Sequence, residues 1–284
     1  MPPLERVASI PQQLLVLLVP IWSLIKAISD EIEERDLDSV EAHAGKAELT
    51  RALAIMSFNT AKHDILYTPD DDVETIVGIE THCRSVLRLK VAGLLWTAQE
   101  CTTLIWAARW QTARSKEFPA GHEGNPAVAK ANKQVAALTI LLLVAWLRDV
   151  FFGVENPSST VLHPLEPFKT LLYWLCGSLK AVRSYMGSFS GETPKPLHVW
   201  GTWPMIDQLA RRRPKNLKGR LAKKVGKWTN GDPRAMKSSS AYTFDFGCAV
   251  GRLLQQQNQP RGELPFFEKK KKHHGLQWWI SSTG

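Results

Sequence analysis

The sequence predicts an α/β fold built on a mostly parallel, doubly wound sheet, with an antiparallel hairpin closing one edge and helices on both faces. Three observations carry that expectation. Short apolar, β-prone runs recur at residues 39–45, 58–67, 93–98 and 150–154, and helical segments stand between them. Strands alternating with helices of ten or more residues pair in parallel, because each crossover returns the chain to the same end of the sheet. Two further β-prone stretches, 180–186 and 196–202, bracket a turn rich in Gly, Ser and Pro, the composition of an edge hairpin.

Taken in order, residues 14–25 are apolar except for Ser23 and are interrupted by Pro20. The run is short of the roughly 20 residues a bilayer crossing needs, so it is expected to pack as an N-terminal helix with no stable membrane association. The acidic stretch 30–38 reads as a solvated helix end and linker, which makes residues 1–38 an appendage to a domain over residues 39–256. Leu49, Leu53 and Met56 give 46–56 helical spacing. A second strand at 58–67 carries Asp64 near its end, a Pro69-Asp70-Asp71-Asp72 turn follows, and a helix is expected over 80–90. The strand at 93–98 delivers Gln99, Glu100, Cys101 and Thr102 into a loop, and 109–125, rich in Gly, Pro and charge, reads as an excursion from the core. A strongly apolar helix at 132–148 leads to the strand 150–154, which is expected to stop before Pro157 because proline cannot continue a sheet ladder. A helix at 165–175 precedes the hairpin.

The 284 residues suffice for a sizeable core. Cys83, Cys101, Cys176 and Cys248 lie far apart without metal-ligand spacing, so neither a metal centre nor a disulfide framework is expected, and a reducing intracellular compartment is. Most of the tryptophans, Trp96 and Trp200 among them, are expected in the core. The net charge of +9 is uneven: from Met205 onward 17 Lys/Arg face 5 Asp/Glu. That field attracts polyanions, and Arg211, Arg212, Arg213, Lys223 and Lys224 are its candidate phosphate contacts. Residues 257–284, with Lys269 to Lys272 followed by two histidines, read as a basic, solvated tail.

Chemistry concentrates at the expected strand ends. Glu155-Asn156-Pro157 closes the apolar run Val150-Phe151-Phe152-Gly153-Val154, placing a carboxylate and an amide at the sheet edge where ligands bind in open α/β folds. Glu155 alternatively caps a helix suggested by Ser158, Ser159 and Thr160. Val40-Glu41-Ala42-His43-Ala44-Gly45 leads a strand into a helix through small residues, which lets a ligand approach the backbone and the helix N-terminus. Gly45 stands alone, so the three-glycine dinucleotide fingerprint is excluded, and so is the phosphate loop. What remains is the layout of an adenosyl-ligand site: a turn after the first strand, Asp64 after the second to take ribose hydroxyls, and a loop after the fourth. Cys101, in the loop after 93–98, is either a nucleophile or an inert half-buried thiol.

In this order the pieces resemble the cytosine-5 DNA methyltransferases, and more closely the divergent methyltransferase-like reading frames of dinoflagellate genomes. Glu41-Ala42-His43-Ala44-Gly45 resembles the family's first cofactor motif, Cys101 lies where its Pro-Cys loop carries the nucleophile, and Glu155-Asn156-Pro157 resembles its Glu-Asn-Val motif. The likeness spans residues 40–254 and includes Tyr185-Met186-Gly187-Ser188-Phe189-Ser190-Gly191 and Ala241-Tyr242-Thr243-Phe244-Asp245-Phe246-Gly247. It implies a Rossmann-like methyltransferase sheet, S-adenosylmethionine held near Glu41, Ala42, Ala44, Gly45 and Asp64, and cytosine in DNA, rather than RNA, as substrate. Cys101 would add to the ring while Glu155, with Asn156, holds the base. A monomer, nuclear rather than cytoplasmic, is expected. Two positions depart from the pattern: Glu100 precedes the cysteine, where a carboxylate raises a thiol pKa, and Lys195 is the nearest cation where the family's hairpin carries an arginine. The alternative is a catalytically inactive, nucleic-acid-binding relic of the same fold, carried by a mobile element.

Overall fold

The computed structural model describes residues 9–191, 194–215 and 242–258. Strands β1 (Leu37–Ala42), β2 (Thr60–His63), β3 (Leu89–Thr97), β4 (Phe151–Pro157), β5 (Lys180–Tyr185) and β6 (Pro196–Gly201) form one sheet in the order β2-β1-β3-β4-β6-β5. The first four run parallel, and β6 lies antiparallel to both β4 and β5. The expected α/β class, with its antiparallel hairpin, is the class observed. Helices α1 (Gln12–Glu31), α2 (Glu48–Ile55), α3 (Ile76–Leu87), α4 (Pro126–Leu147), α5 (Phe168–Trp174) and α6 (Phe244–Asn258) cover the two faces.

Alternation along the strands divides the interior in two. Val40, Leu95, Phe152, Val154 and Trp200 join the larger core with residues of α1, α3, α4 and α5. Leu94, Trp96, Leu197 and Val199 join the smaller one with residues of α2 and α6. Helix α1 continues through Pro20, which lies on the exposed side, while Leu14, Leu18, Ile25 and Ile28 are buried. Both α1 and α4 are long and apolar enough to cross a membrane by length and composition; 67% of the α4 window is buried within the fold, against 22% for α1.

Several boundaries differ from those expected, each for a local reason. Helix α3 begins at Ile76 rather than residue 80 because the Thr75 hydroxyl caps it, accepting from the Gly78 N–H at 3.0 Å. Helix α4 begins at Pro126 rather than residue 132: Asn125 caps it, accepting from the Ala127 N–H at 3.0 Å, and proline suits the first helical position. Residues 109–125 are mostly exposed, as expected of an excursion, but they are tied down. They contain a helical turn at Arg109–Thr112, and the buried Arg114 ties them to α4 by donating to Asn132 Oδ1 at 2.9 Å.

The largest correction concerns β4, which runs on to Pro157. Its ladder with β3 stops at the Thr97 and Val154 pair, but its ladder with β6 continues through Glu155 and Val199, Asn156 and His198, and Pro157 and Leu197. Proline is tolerated because β4 has a single neighbour there. Glu155 and Asn156 therefore do not emerge from the strand; they are 3% and 0% exposed. Residues 158–159 form a turn, Thr160 bridges to Ile105, and no helix starts between β4 and α5, so Glu155 caps none.

Gly153 sits in register with Trp96, and a Cβ there would stand 2.5 Å from the indole ring. Trp96 is fully buried and has no room to yield. Gly153→Ala is expected to lower stability by about 1–3 kcal/mol, the range for overpacking, as read by urea denaturation.

Candidate functional site

At the end of β1 the Glu41 carboxylate turns toward α2. Its Oε2 accepts from the Thr50 N–H at 2.8 Å and the Thr50 hydroxyl at 2.7 Å. Its Oε1 is sealed from solvent with no hydrogen-bond partner among the described residues. Burial pushes this carboxyl up to about 7, against the two Thr50 bonds. The chain then turns through three left-handed residues, His43, Gly45 and Ala47. Gly45 faces open space where a side chain would stand.

Asp64, just past β2, braces this turn. Its Oδ2 accepts from the Gly45 N–H at 2.8 Å and its Oδ1 from the Leu66 N–H at 3.0 Å, while the Tyr67 hydroxyl donates to the Gly45 carbonyl at 2.5 Å. Ala42 and Ala44 are buried beneath it. Glu41, Ala42, Ala44, Gly45 and Asp64 thus form one cluster. The sealed Glu41 oxygen and the open space at Gly45 fit a polar ligand lying along the turn. Asp64 already spends a lone pair of each oxygen on the backbone, so a ribose would share it.

Beside this turn lies a histidine cluster that the sequence did not announce. His63 Nδ1 meets Asp71 Oδ1 at 2.7 Å, and its Nε2 meets Ser85 Oγ at 2.8 Å. His82 donates Nδ1–H to the Gly78 carbonyl at 2.8 Å, and its ring centroid lies 4.6 Å from that of His63. Burial holds His82 and His43 neutral, with pKa values down to about 4. Ligand atoms of His63, Asp71 and His82 fall within 4.8 Å of one another, a grouping able to receive a metal ion. Both His63 nitrogens and both Asp71 oxygens already have protein partners, since Asp71 Oδ2 accepts from the Asp64 N–H at 3.1 Å. The group therefore acts as a hydrogen-bonded brace beneath the Asp64 turn. No sequence spacing signals it, because its members come from β2, a 3-10 turn and α3.

The second half of the site lies at the ends of β3 and β4. The Asn156 amide donates to the Gln99 carbonyl at 3.2 Å, tying the loop after β3 to β4 where the two strands have parted. That loop carries Cys101. Burial is the largest influence on its thiol and raises its pKa; Lys195 acts in the opposite sense, and Glu155 and, least, Glu100 add to the rise. Three segments far apart in sequence thus bring Cys101, Glu155 and Lys195 within electrostatic reach. Lys195, entering β6, sits 3.8 Å from Glu155 Oε1 in a pair that is 17% and 4% exposed. Glu100 instead accepts from the Thr102 hydroxyl at 2.9 Å.

The other Glu155 oxygen is held by a group that arrives from the far end of the chain. Tyr242 OH lies 3.2 Å from Glu155 Oε2 and 2.9 Å from Trp96 Nε1. An indole N–H only donates, so the phenol oxygen accepts from Trp96 and spends its own hydrogen on Glu155. Burial pushes the Tyr242 pKa well up, with Glu155 adding, so the phenol stays protonated. Its ring stacks on Phe246 at 5.0 Å. Tyr242→Phe keeps the ring but orphans the indole N–H and one carboxylate oxygen; a loss of about 1–3 kcal/mol is expected in urea denaturation.

Of the candidate phosphate contacts, Arg211, Arg212 and Arg213 are exposed in succession after the turn at Ile206–Leu209. Arg211 is partly engaged: its Nη1 donates to the Gln208 and Ala210 carbonyls at 2.8 Å, and its guanidinium lies over the Phe189 ring. Lys223, Lys224 and the basic tail lie outside the described residues. No protein-family model matches the chain, and no curated protein matches it.

Proposed function

We propose that the chain is an S-adenosylmethionine-dependent methyltransferase that acts on cytosine in DNA through covalent addition by Cys101. The reading rests on the juxtaposition of Cys101, Glu155 and Lys195 at the sheet edge beside the cofactor-like turn. When bound, S-adenosylmethionine supplies the methyl group; Glu41 and Asp64 would hold its polar groups, with Gly45 leaving room along the turn.

Cytosine carbon 5 is a poor nucleophile until a thiolate adds at carbon 6. Cys101 forms that carbon–sulfur bond, and the displaced ring electrons render carbon 5 nucleophilic toward the methyl, whose bond to the sulfonium breaks with its electron pair left on that sulfur as a neutral thioether. Loss of the carbon 5 proton to solvent then expels the thiolate and restores the ring. Glu155 Oε2 is pinned by Tyr242, so Oε1 is the oxygen left to face the ring nitrogen and amino group. Lys195 beside it favours the thiolate. These ring atoms are unreachable inside a duplex, so the base must leave the stack, with the arginines at 211–213 on the phosphates.

One observation favours the second reading, an inactive nucleic-acid-binding relic: burial keeps the Cys101 thiol protonated in the unliganded protein. Calorimetry with S-adenosylmethionine, paired with transfer of labelled methyl to duplex DNA, separates the two. Binding with transfer supports the methyltransferase. Tight DNA binding with no cofactor heat at millimolar concentration leaves the relic.

A further inference from the structure

A cavity of about 350 Å³ lies on the opposite face of the β4–β6 pair from Glu155. Side chains alternate along β6, so Leu197 and Val199 join the core on the Glu155 side while His198 and Trp200 line the cavity floor. Trp106 and Tyr173 supply two more aromatic walls, and Tyr173 keeps 52% of its surface exposed among the described residues. Three ammonium groups border the space, from Lys116, Lys169 and Lys180, and among the described residues no carboxylate lines it. Lys169 and Lys180 make ion pairs with Glu166 and Asp207 outside the cavity, with lysine side chains 47% and 39% exposed. Such exposed pairs hold weakly and exchange readily for a ligand anion. His163 and His198 are uncharged, burial having lowered both to about 4, so they offer hydrogen bonds rather than charge.

The volume is at the small end of the roughly 300–1,000 Å³ typical of small-molecule sites, and flat rings beside lysines suit a planar aromatic anion. We infer that this cavity is a second binding site that takes a nucleoside monophosphate, its base against Trp106, Tyr173 and Trp200 and its phosphate at Lys116 and Lys169. The inference stands apart from the methyltransferase reading, because Glu155, Cys101 and Gly45 do not line this cavity.

Guanosine monophosphate is the probe, since it carries neither the adenine of the proposed cofactor nor the cytosine of the proposed target. Calorimetry on the full chain is expected to give saturable binding, with guanosine and ribose 5-phosphate each at least about tenfold weaker. Tyr173→Ala and Lys116→Glu, both at exposed positions, are each expected to weaken it by about tenfold or more, with thermal unfolding and S-adenosylmethionine binding unchanged. No heat at millimolar nucleotide overturns the inference. So does ribose 5-phosphate binding as tightly as the nucleotide, or full affinity in the Tyr173→Ala/Lys116→Glu double variant.

Discussion

Cys101→Ser is expected to reduce methyl transfer to background while leaving S-adenosylmethionine binding in place, because a serine hydroxyl at neutral pH is a far weaker nucleophile than a thiolate. Labelled transfer and calorimetry on the same preparation check both halves. The thiol's surroundings add a sharper expectation. Burial and the Glu155 charge raise it and Lys195 lowers it, so at neutral pH most of it is protonated and the wild-type rate should climb with pH by up to about tenfold per unit. Glu155→Gln removes a charge that opposes the thiolate, so alkylation of Cys101 by iodoacetamide should become faster. The same substitution removes the group that holds the base, so methyl transfer should become slower. Lys195→Met should slow both. A merely structural role for Glu155 does not split the two readouts, and equal transfer by Cys101→Ser would sink the covalent scheme.

The parallel core was legible because its strands are short, apolar and spaced by helices, and local pattern alone fixes such elements. Helix starts were legible only through caps, and Thr75 and Asn125, unremarkable in sequence, account for starts four and six residues before those expected. The fate of Glu155-Asn156-Pro157 was hidden for another reason. Whether a strand ends at a proline depends on which neighbours remain beside it, and the parting of β3 from β4 after Thr97 is a tertiary fact. Cys101, Glu155 and Lys195 were named from motif order, but their mutual proximity follows from strand order. The partners of Glu155 were not legible as partners: Tyr242 lies 87 residues downstream and Trp96 reads as core, which it also is. The histidine brace likewise assembles from segments that say nothing separately.

Glu41→Gln is expected to remove a pH dependence of stability that the wild-type protein carries. The folded carboxyl titrates near 7, well above its ordinary range, because burial opposes its charge. A folded value above the unfolded one means that the native state holds a proton which the unfolded chain has released. The contribution is fully present below about pH 4.5, shrinks as pH rises, and is gone once pH passes through about 7, where the buried carboxylate must carry its charge. The span amounts to at most about 3 kcal/mol. His43 and His82 work in the other direction, since bases depressed to about 4 lose stability as pH falls below their ordinary range. The difference between wild type and Glu41→Gln cancels them and isolates Glu41. In urea unfolding at pH 5, 6, 7 and 8, the variant should gain steadily on wild type and lead it at pH 8; a constant difference would show that Glu41 is ionised throughout. The unpaired Oε1 extends the expectation to the cofactor, because a donor placed there favours the carboxylate. Binding of S-adenosylmethionine near pH 7 should then release a proton, making the calorimetric enthalpy depend on the buffer's ionisation heat in the wild type and not in Glu41→Gln.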